Sequence, residues 1–388
     1  MHMDSTRSIS LRRIMAGHYF LYFGVMGIFL PYFNLYCFHL GFDGFQIGLL
    51  SAIRSMSMSF FPILWSMAAD RFQIRRGIFI LCTFSASIIW TAYLFTADFR
   101  MILTISILYG VFYSPMISFM EAFTMDILGK EKSSYGKVRA WGTIAFVIIS
   151  GGMGKLIDLY SVHLTVVMVL AGSLVQAVLS PAVPRISGNS RKYGNPDFLL
   201  KVRPLVFLFC AFLMLVSHGT YYGFFSIHLE TLGYSKTFIG LAWALASAVE
   251  VGVMMNSARI FKRFAIEDVV LFSFGAAVLR WFILSKAHSP WLILASQGLH
   301  AITYGTFHIA TILNMDRMSP DESKTLGQSV NNAITYGLGM TAGFFLSAYL
   351  YEKTGSFKLF AISGLIALAG GVIFEFNQMI LRRGKKTA

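Results

Sequence analysis

The chain reads as one apolar run after another. Stretches of about 20 mostly apolar residues, each long enough to cross the hydrocarbon core of a bilayer, recur from end to end. Short polar or basic segments separate them. They predict spans near 14–39, 45–67, 77–97, 101–126, 139–159, 163–183, 203–229, 236–258, 268–286, 290–315, 326–350 and 357–381. Lipid offers no hydrogen-bond partner to a backbone, so a long apolar segment without two-residue alternation must satisfy its own amides as a helix. The pattern predicts an all-α membrane protein of twelve transmembrane helices. An even number puts both termini on one side.

A second regularity divides the twelve. A shift of 192 positions lays "LGFDGFQIGL" (40–49) over "LGYSKTFIGL" (232–241), and the same shift pairs Arg71 and Phe72 with Arg263 and Phe264. Two pseudo-symmetric six-helix bundles are expected, over 1–183 and 203–388. Residues 184–202, basic and rich in Gly, Pro, Asn and Ser, have the composition of a cytoplasmic linker.

Composition agrees: 56% of residues are hydrophobic and 13% charged, with mean hydropathy +0.65, where ordinary soluble domains are about a quarter charged. The formal net charge of +14 matters through its distribution. Lys and Arg crowd the ends and alternate loops (Arg7, Arg12 and Arg13; Arg71, Arg75 and Arg76; Lys130, Lys132 and Lys137; Arg185, Arg191 and Lys192; Arg382 and Arg383), while the opposite loops hold few, such as Arg100 and Lys155. Short cytoplasmic loops retain basic residues, so both termini are expected in the cytoplasm, and the anionic inner leaflet, not a nucleic acid, accounts for the charge. The first apolar run follows Arg12 and Arg13 as a signal peptide would, but its length and lack of a small-residue cleavage pattern predict a retained helix. Cys37, Cys82 and Cys210 fall in predicted spans without metal spacing. No disulfide, metal or cofactor is expected.

Arg54, Glu121, Arg139, Glu250 and Arg280 lie deep in predicted spans. Facing lipid they would together cost about 12–18 kcal/mol, at roughly 2.5–3.5 kcal/mol each. They must face the interior, either pairing to hold helices or lining a solute pathway, and as a set they favour the pathway. Polar and aromatic stripes accompany them: His300, Tyr304 and His308 in helix 10, His218, Tyr221, Tyr222 and Phe225 in helix 7, Gln328, Asn331, Asn332 and Thr335 in helix 11. Such stripes serve helix packing and interhelical bonding as readily as a polar path. In "WSMAADRFQIRRG", Asp70, Arg71, Arg75 and Arg76 have the charges to cap and bridge helix ends on the cytoplasmic face, and plain topology-setting charge is the alternative.

These residues carry a family resemblance. "WSMAADRFQIRRG" resembles the signature loop of the major facilitator superfamily, G-x-x-x-D-R-x-G-R-R, with Ser66 for the first glycine and Ile74 at a position usually given to glycine or its neighbour. "MEAFTMDILGKEKSSYGKVRAWG" (120–142) resembles the helix 4 to helix 5 passage of lactose permease-like proton symporters, where a glutamate in an E-A-F context and an arginine 18 residues later recognise substrate. That resemblance implies Glu121 and Arg139 for the pair. Arg280 and His300 keep the family's 20-residue spacing between a helix 9 arginine and a helix 10 histidine, and Glu250 falls where the family keeps a helix 8 glutamate. Proton coupling is thereby implied for Glu250, Arg280 and His300, with His308 beside them. The chain is most similar to the phenylpropionate permease branch, through "YGKVRAWGTIAFV", "YYGF", "AVEV", "LRW" and "LHAITYGTFH". Two departures concern galactosides: Thr303 stands where the lactose carrier has a glutamate, and Phe146 where it has its sugar-stacking tryptophan.

The expectation is a proton-coupled symporter moving a small organic solute by alternating access, acting as a monomer in a bacterial inner membrane. Glu121, Arg139, Arg54, Phe146, His218, Tyr222, Asn331 and Asn332 are expected on the solute. Three deep arginines against two glutamates leave one positive charge in excess, which points to a carboxylate on an aromatic or apolar body, docked at Arg54, with a sugar-like solute as the other possibility. Two other classes are an intramembrane enzyme and a non-transporting sensor on the same fold. Against the enzyme, no histidine is followed five residues later by aspartate and no serine sits in a G-x-S-x-G elbow; G-x-x-x-x-G-K-[ST], the nucleotide-binding motif, is also absent.

Overall fold

In the computed structural model, residues 5–129, 131, 134–184 and 197–387 are described. Most of the expected linker, 185–196, and the basic residues Lys130, Lys132, Arg185, Arg191 and Lys192 lie outside them. The described residues are helical almost throughout: α1 (Ser5–His39), α2 (Gly44–Phe72), α3 (Arg75–Thr91), α4 (Phe99–Tyr113), α5 (Met116–Leu128), α6 (Tyr135–Leu159), α7 (Leu164–Leu179), α8 (Val202–Thr231), α9 (Lys236–Arg263), α10 (Ile266–Leu284), α11 (Pro290–Gly298), α12 (Phe307–Met318), α13 (Lys324–Asn332) and α14 (Met340–Thr387).

Among the described residues twelve crossings result, because some crossings are made of two helices and one helix serves two. α4 and α5 form one crossing, Phe99–Leu128, interrupted at Ser114 and Pro115. Proline lacks the amide and crowds the preceding turn. α11 and α12 are joined through a π-helical turn, Ala301–Thr306, and α13 meets α14 through another, Ala333–Gly339. Within α14, Gly355 takes φ 72 and ψ 167, a conformation that favours glycine, and divides crossings eleven and twelve. Among the described residues nine helices are long and apolar enough to span a membrane by composition alone. α10 falls short because it carries Glu267, Asp268 and Arg280.

The internal repeat is visible atom by atom. Gly41 and Gly233, one shift of 192 apart, both take φ 85. Each closes the preceding helix with the same bond, Phe42 N donating to Cys37 O (3.2 Å) and Tyr234 N to Leu229 O (3.1 Å). The next helices open on matching caps. Asp43 and Gln46 bond reciprocally (3.1 and 2.7 Å), and Ser235 Oγ accepts Phe238 N (3.2 Å).

The chain forms two compact units. The first holds the described residues of Met1–Phe42, Met56–Ser190 and Leu229–Ala244, and the second those of Asp43–Ser55, Arg191–His228 and Leu245–Ala388. α2 and α9 are therefore each shared: α2 begins in the second unit and continues in the first, and α9 does the reverse. In the first unit buried Trp90 packs 4.6 Å from Tyr93 and 4.8 Å from Tyr109 while donating to Val166 O (2.9 Å). Phe60, Ile88, Val178, Met255 and Phe376 are exposed, as lipid-facing side chains are.

Candidate functional site

Two clusters of polar side chains stand out, one in each unit. In the first unit, α5 presents Glu121 and α6 presents Arg139. Arg139 Nε lies 3.8 Å from Glu121 Oε1, and the side chains are 36% and 43% exposed, so the pair is loose and open to solvent. Tyr135, one helical turn before Arg139, donates its hydroxyl to Glu121 Oε1 (3.2 Å). The Arg139 guanidinium lies 4.8 Å from the centroid of the Phe23 ring. A planar cation on an aromatic face beside a carboxylate offers a solute both donors and an acceptor. Phe146 is 7% exposed, and its backbone packs where a Cβ on Gly27 would come within 3.0 Å.

In the second unit Arg280 is fully buried. Its Nη1 donates to His300 Nδ1 (2.9 Å) and Thr303 Oγ1 (3.2 Å), and its Nη2 to Gln297 Oε1 (3.3 Å), which also accepts the Tyr221 hydroxyl (2.9 Å). The guanidinium lies 4.3 Å from the Tyr221 ring and 4.6 Å from that of Trp281. Each acceptor it reaches is formally neutral. Glu250 is reached through the imidazole: His300 Nε2 lies 3.7 Å from Glu250 Oε2. A guanidinium has only donors, so Nδ1 must accept and the proton of a neutral His300 sits on Nε2, facing Glu250. At Thr303, where the resemblance to the lactose carrier would place a glutamate, a hydroxyl accepts from the guanidinium instead.

The π-helical turn after His300 extends this cluster. His300 stacks on Tyr304 (5.2 Å, 14°), Tyr304 meets Tyr336 edge-on (5.9 Å), and His308 Nδ1 lies 2.6 Å from the Tyr336 hydroxyl. Tyr222 reaches both His300 and Tyr304 (6.4 and 6.0 Å). His218 is buried, bonded through Nδ1 to Met214 O (2.8 Å) and set edge-on to Trp281 (4.9 Å). Gly305 lets Glu250 approach, since a Cβ there would come 3.1 Å from Glu250 Cγ.

The other expected residues are spread more widely. Arg54 belongs to the second unit, 5.8 Å from the Phe344 ring, while Glu121 and Arg139 belong to the first. Asn331 is buried and accepts the Thr335 hydroxyl (3.3 Å), and its neighbour Asn332 is exposed. In the turn after α2, Arg75 donates twice to Asp70 Oδ1 (2.9 and 2.7 Å) and lies 3.6 Å from Asp126. Arg76 donates to Val183 O (2.8 Å) and to Pro181 O at the end of the sixth crossing. Arg71 instead lies over the ring of its neighbour Phe72 (5.6 Å). Tyr135, Gln297 and Tyr336 were absent from the expected site, as were Phe23, Trp281 and Thr303. Helical spacing from Arg139 and His300 could have found the first two; nothing local points to Tyr336.

The two clusters sit on a fold and a sequence with known relatives. A model of the MFS_1 like family matches residues 12–362. The chain belongs to that family. The probable 3-phenylpropionic acid transporter of Escherichia coli (strain K12) is 29% identical over 95% of this chain and 97% of its own length. The maltose permease of Geobacillus stearothermophilus is 21% identical over 95% of this chain and 94% of its own. Among solved structures, the nucleoside transporter NupG aligns with TM-score 0.83 at 17% identity, covering 94% of this chain and 98% of that one. A bacterial homologue of the human lysosomal transporter Spinster, inward-facing and occupied, aligns at 0.71 with 14% identity over 97% and 98%. This MFS_1-like protein is thus an integral membrane transport protein, not an enzyme, with the twelve crossings and two pseudo-symmetric bundles of the major facilitator fold.

Proposed function

We propose that this MFS_1-like protein is a proton symporter of small aromatic carboxylates, working by alternating access as a monomer in the bacterial inner membrane with both termini cytoplasmic. Its bundles span 1–183 and 203–388, with 184–202 as the linker. The observation that carries the proton assignment is the Arg280–His300–Glu250 line. Charging His300 would put a second ring proton on Nδ1, against guanidinium donors 2.9 Å away. Glu250 therefore carries the exchangeable proton, His300 and Arg280 position it, and His308 with Tyr336 extends the polar path. Glu121 and Arg139 hold polar groups of the solute. Arg54, His218, Tyr222, Asn331 and Asn332 complete its surroundings, and Phe146 backs the pair by packing α6 on α1. Asp70, Arg71, Arg75 and Arg76 form a cytoplasmic brace that loosens during the cycle.

Three things support the substrate class: the excess of deep positive charge, the aromatic rings around the buried Arg280, and the 3-phenylpropionic acid named for the E. coli relative. In proteoliposomes, an inward proton gradient is expected to drive accumulation of labelled 3-phenylpropionate, and a protonophore to abolish it. Unlabelled aromatic carboxylates are expected to compete better than maltose or galactosides. The reverse order would replace the substrate class and leave the symport mechanism standing.

Gly305→Val is expected to push Glu250 away from His300 and lower the proton-driven rate about tenfold, equivalent to ~1.4 kcal/mol of barrier. Gly305→Ala needs only a shift of a few tenths of an ångström at Glu250 Cγ and is expected to keep most of the rate. Equal losses in initial uptake by the two variants would detach the effect from Glu250.

A further inference from the structure

Every helix begins with amides that its own turns cannot satisfy. At α2 and α9 the local caps serve the third amide of the turn: Asp43 takes Gln46 N, and Ser235 takes Phe238 N. The first amide of each helix goes elsewhere. Asp158, at the end of α6, accepts Lys236 N at Oδ1 (2.9 Å) and both Thr237 N (2.8 Å) and the Thr237 hydroxyl (2.6 Å) at Oδ2. Glu352, just before the Gly355 break in α14, accepts Gly44 N at Oε1 (2.7 Å). Gly44 and Lys236 are the same position of the repeat, 192 residues apart. The two acids are not: the shift carries Asp158 to 350, and the residue types differ. The contact is repeated although the sequence supplying it is not.

The surrounding backbone is packed for the same contact. A Cβ on Gly154 would collide with Lys236 O, one on Gly240 with Ser150 O, and one on Gly48 with Ala348 Cβ. The Tyr32 hydroxyl lies 2.9 Å from Ser150 O and 3.2 Å from Lys236 O, marking the same α6–α9 seam. The Lys236 ammonium is engaged by Glu230 (2.7 Å), which His39 also contacts (2.9 Å), so the side-chain cation has its own acid while Asp158 serves the helix end. α2 and α9 are the long helices shared between the two units, and each carboxylate holds the end of a shared helix within the unit where that helix begins. A carboxylate is favoured there by both the free amides and the helix dipole.

We propose that Asp158 and Glu352 are a matched pair of latches that hold the first turns of α9 and α2, and that both must release for the transporter to open on the side opposite its termini, a role that rests on the alternating-access reading above. Because two equivalent helix starts are held by two separate acids, weakening one biases the equilibrium towards the released state and weakening both biases it further.

The test pairs a distance measurement with transport, in proteoliposomes and with 3-phenylpropionate as the probe. Spin labels on cysteines at Tyr160, after α6, and Thr231, at the end of α8, report parting of the seam; both positions are exposed, and the natural cysteines are buried. Asp158→Asn and Glu352→Gln keep an acceptor and the side-chain shape while removing the charge, and Asp158→Ala with Glu352→Ala removes both. The ratio of parted to closed populations is expected to rise about three- to fivefold for each neutralised latch and by about tenfold or more for the double alanine variant. Counterflow is expected to change its rate with little change in apparent affinity. Unchanged distances and rates in the double variant, with a wild type that transports and shows both populations, would overturn the latch. A wild type with one distance population and no flux would instead remove alternating access itself, and a loss of affinity without a distance change would make the acids solute contacts.

Discussion

Glu250→Gln is expected to exchange solute across the membrane near the wild-type rate and to lose the ability to concentrate it. Glutamine has the size of the protonated carboxyl and keeps an oxygen that can accept the Nε2–H of His300, which lies 3.7 Å from Glu250 in the native protein. The cluster around Arg280 should therefore persist, since its direct bonds run to His300, Thr303 and Gln297 rather than to Glu250. What glutamine cannot do is release a proton, so the step that ties solute movement to the proton gradient disappears. Counterflow and pH-driven uptake measured on the same proteoliposomes separate the two abilities. Wild-type accumulation would take Glu250 out of the proton path and shift the role to His300, while loss of counterflow as well would make Glu250 a recognition residue.

The second large effect is expected at the pair in the first unit. Arg139→Lys should impair transport nearly as much as Arg139→Ala, although lysine keeps the charge. The native guanidinium lies over Phe23, 4.8 Å from its centroid, and its donors are only loosely engaged, with Glu121 3.8 Å from Nε. A planar fork held this way can give two parallel bonds to a solute; an ammonium on a flexible stem gives one, without fixed direction. Losing a charge-assisted bond costs roughly 1.5–3 kcal/mol, about ten- to a hundredfold in apparent affinity. Near-normal uptake by the lysine variant would reduce Arg139 to a charge partner of Glu121.

Much of this protein is decided locally. Without water, a backbone in lipid must bond to itself within a few residues, so the length of each apolar run dictates a helix wherever the chain lies. The repeat is equally local: Gly41 and Gly233 turn with the same φ of 85 because the same short motif closes the same helix end. Tyr135 lies one turn from Arg139, and Glu121 and Arg280 announce themselves because an isolated charge in a bilayer is too costly to keep without purpose. Which groups meet is another matter. Asn331 and Asn332 look interchangeable in the chain, yet one is buried and the other exposed. Tyr336 reaches His308 across 28 positions, Asp158 caps a helix 78 residues away, and Glu352 one 308 residues away. A buried polar group bonds to whatever the packing brings within 3 Å or so, and helix packing depends on side-chain shape summed over whole faces, which no short window of sequence contains. Run lengths, glycine turns and costly charges thus determined the helices and named the central residues, while tertiary packing alone assigned the proton of His300 to Nε2 and the carboxylates of Asp158 and Glu352 to the ends of α9 and α2.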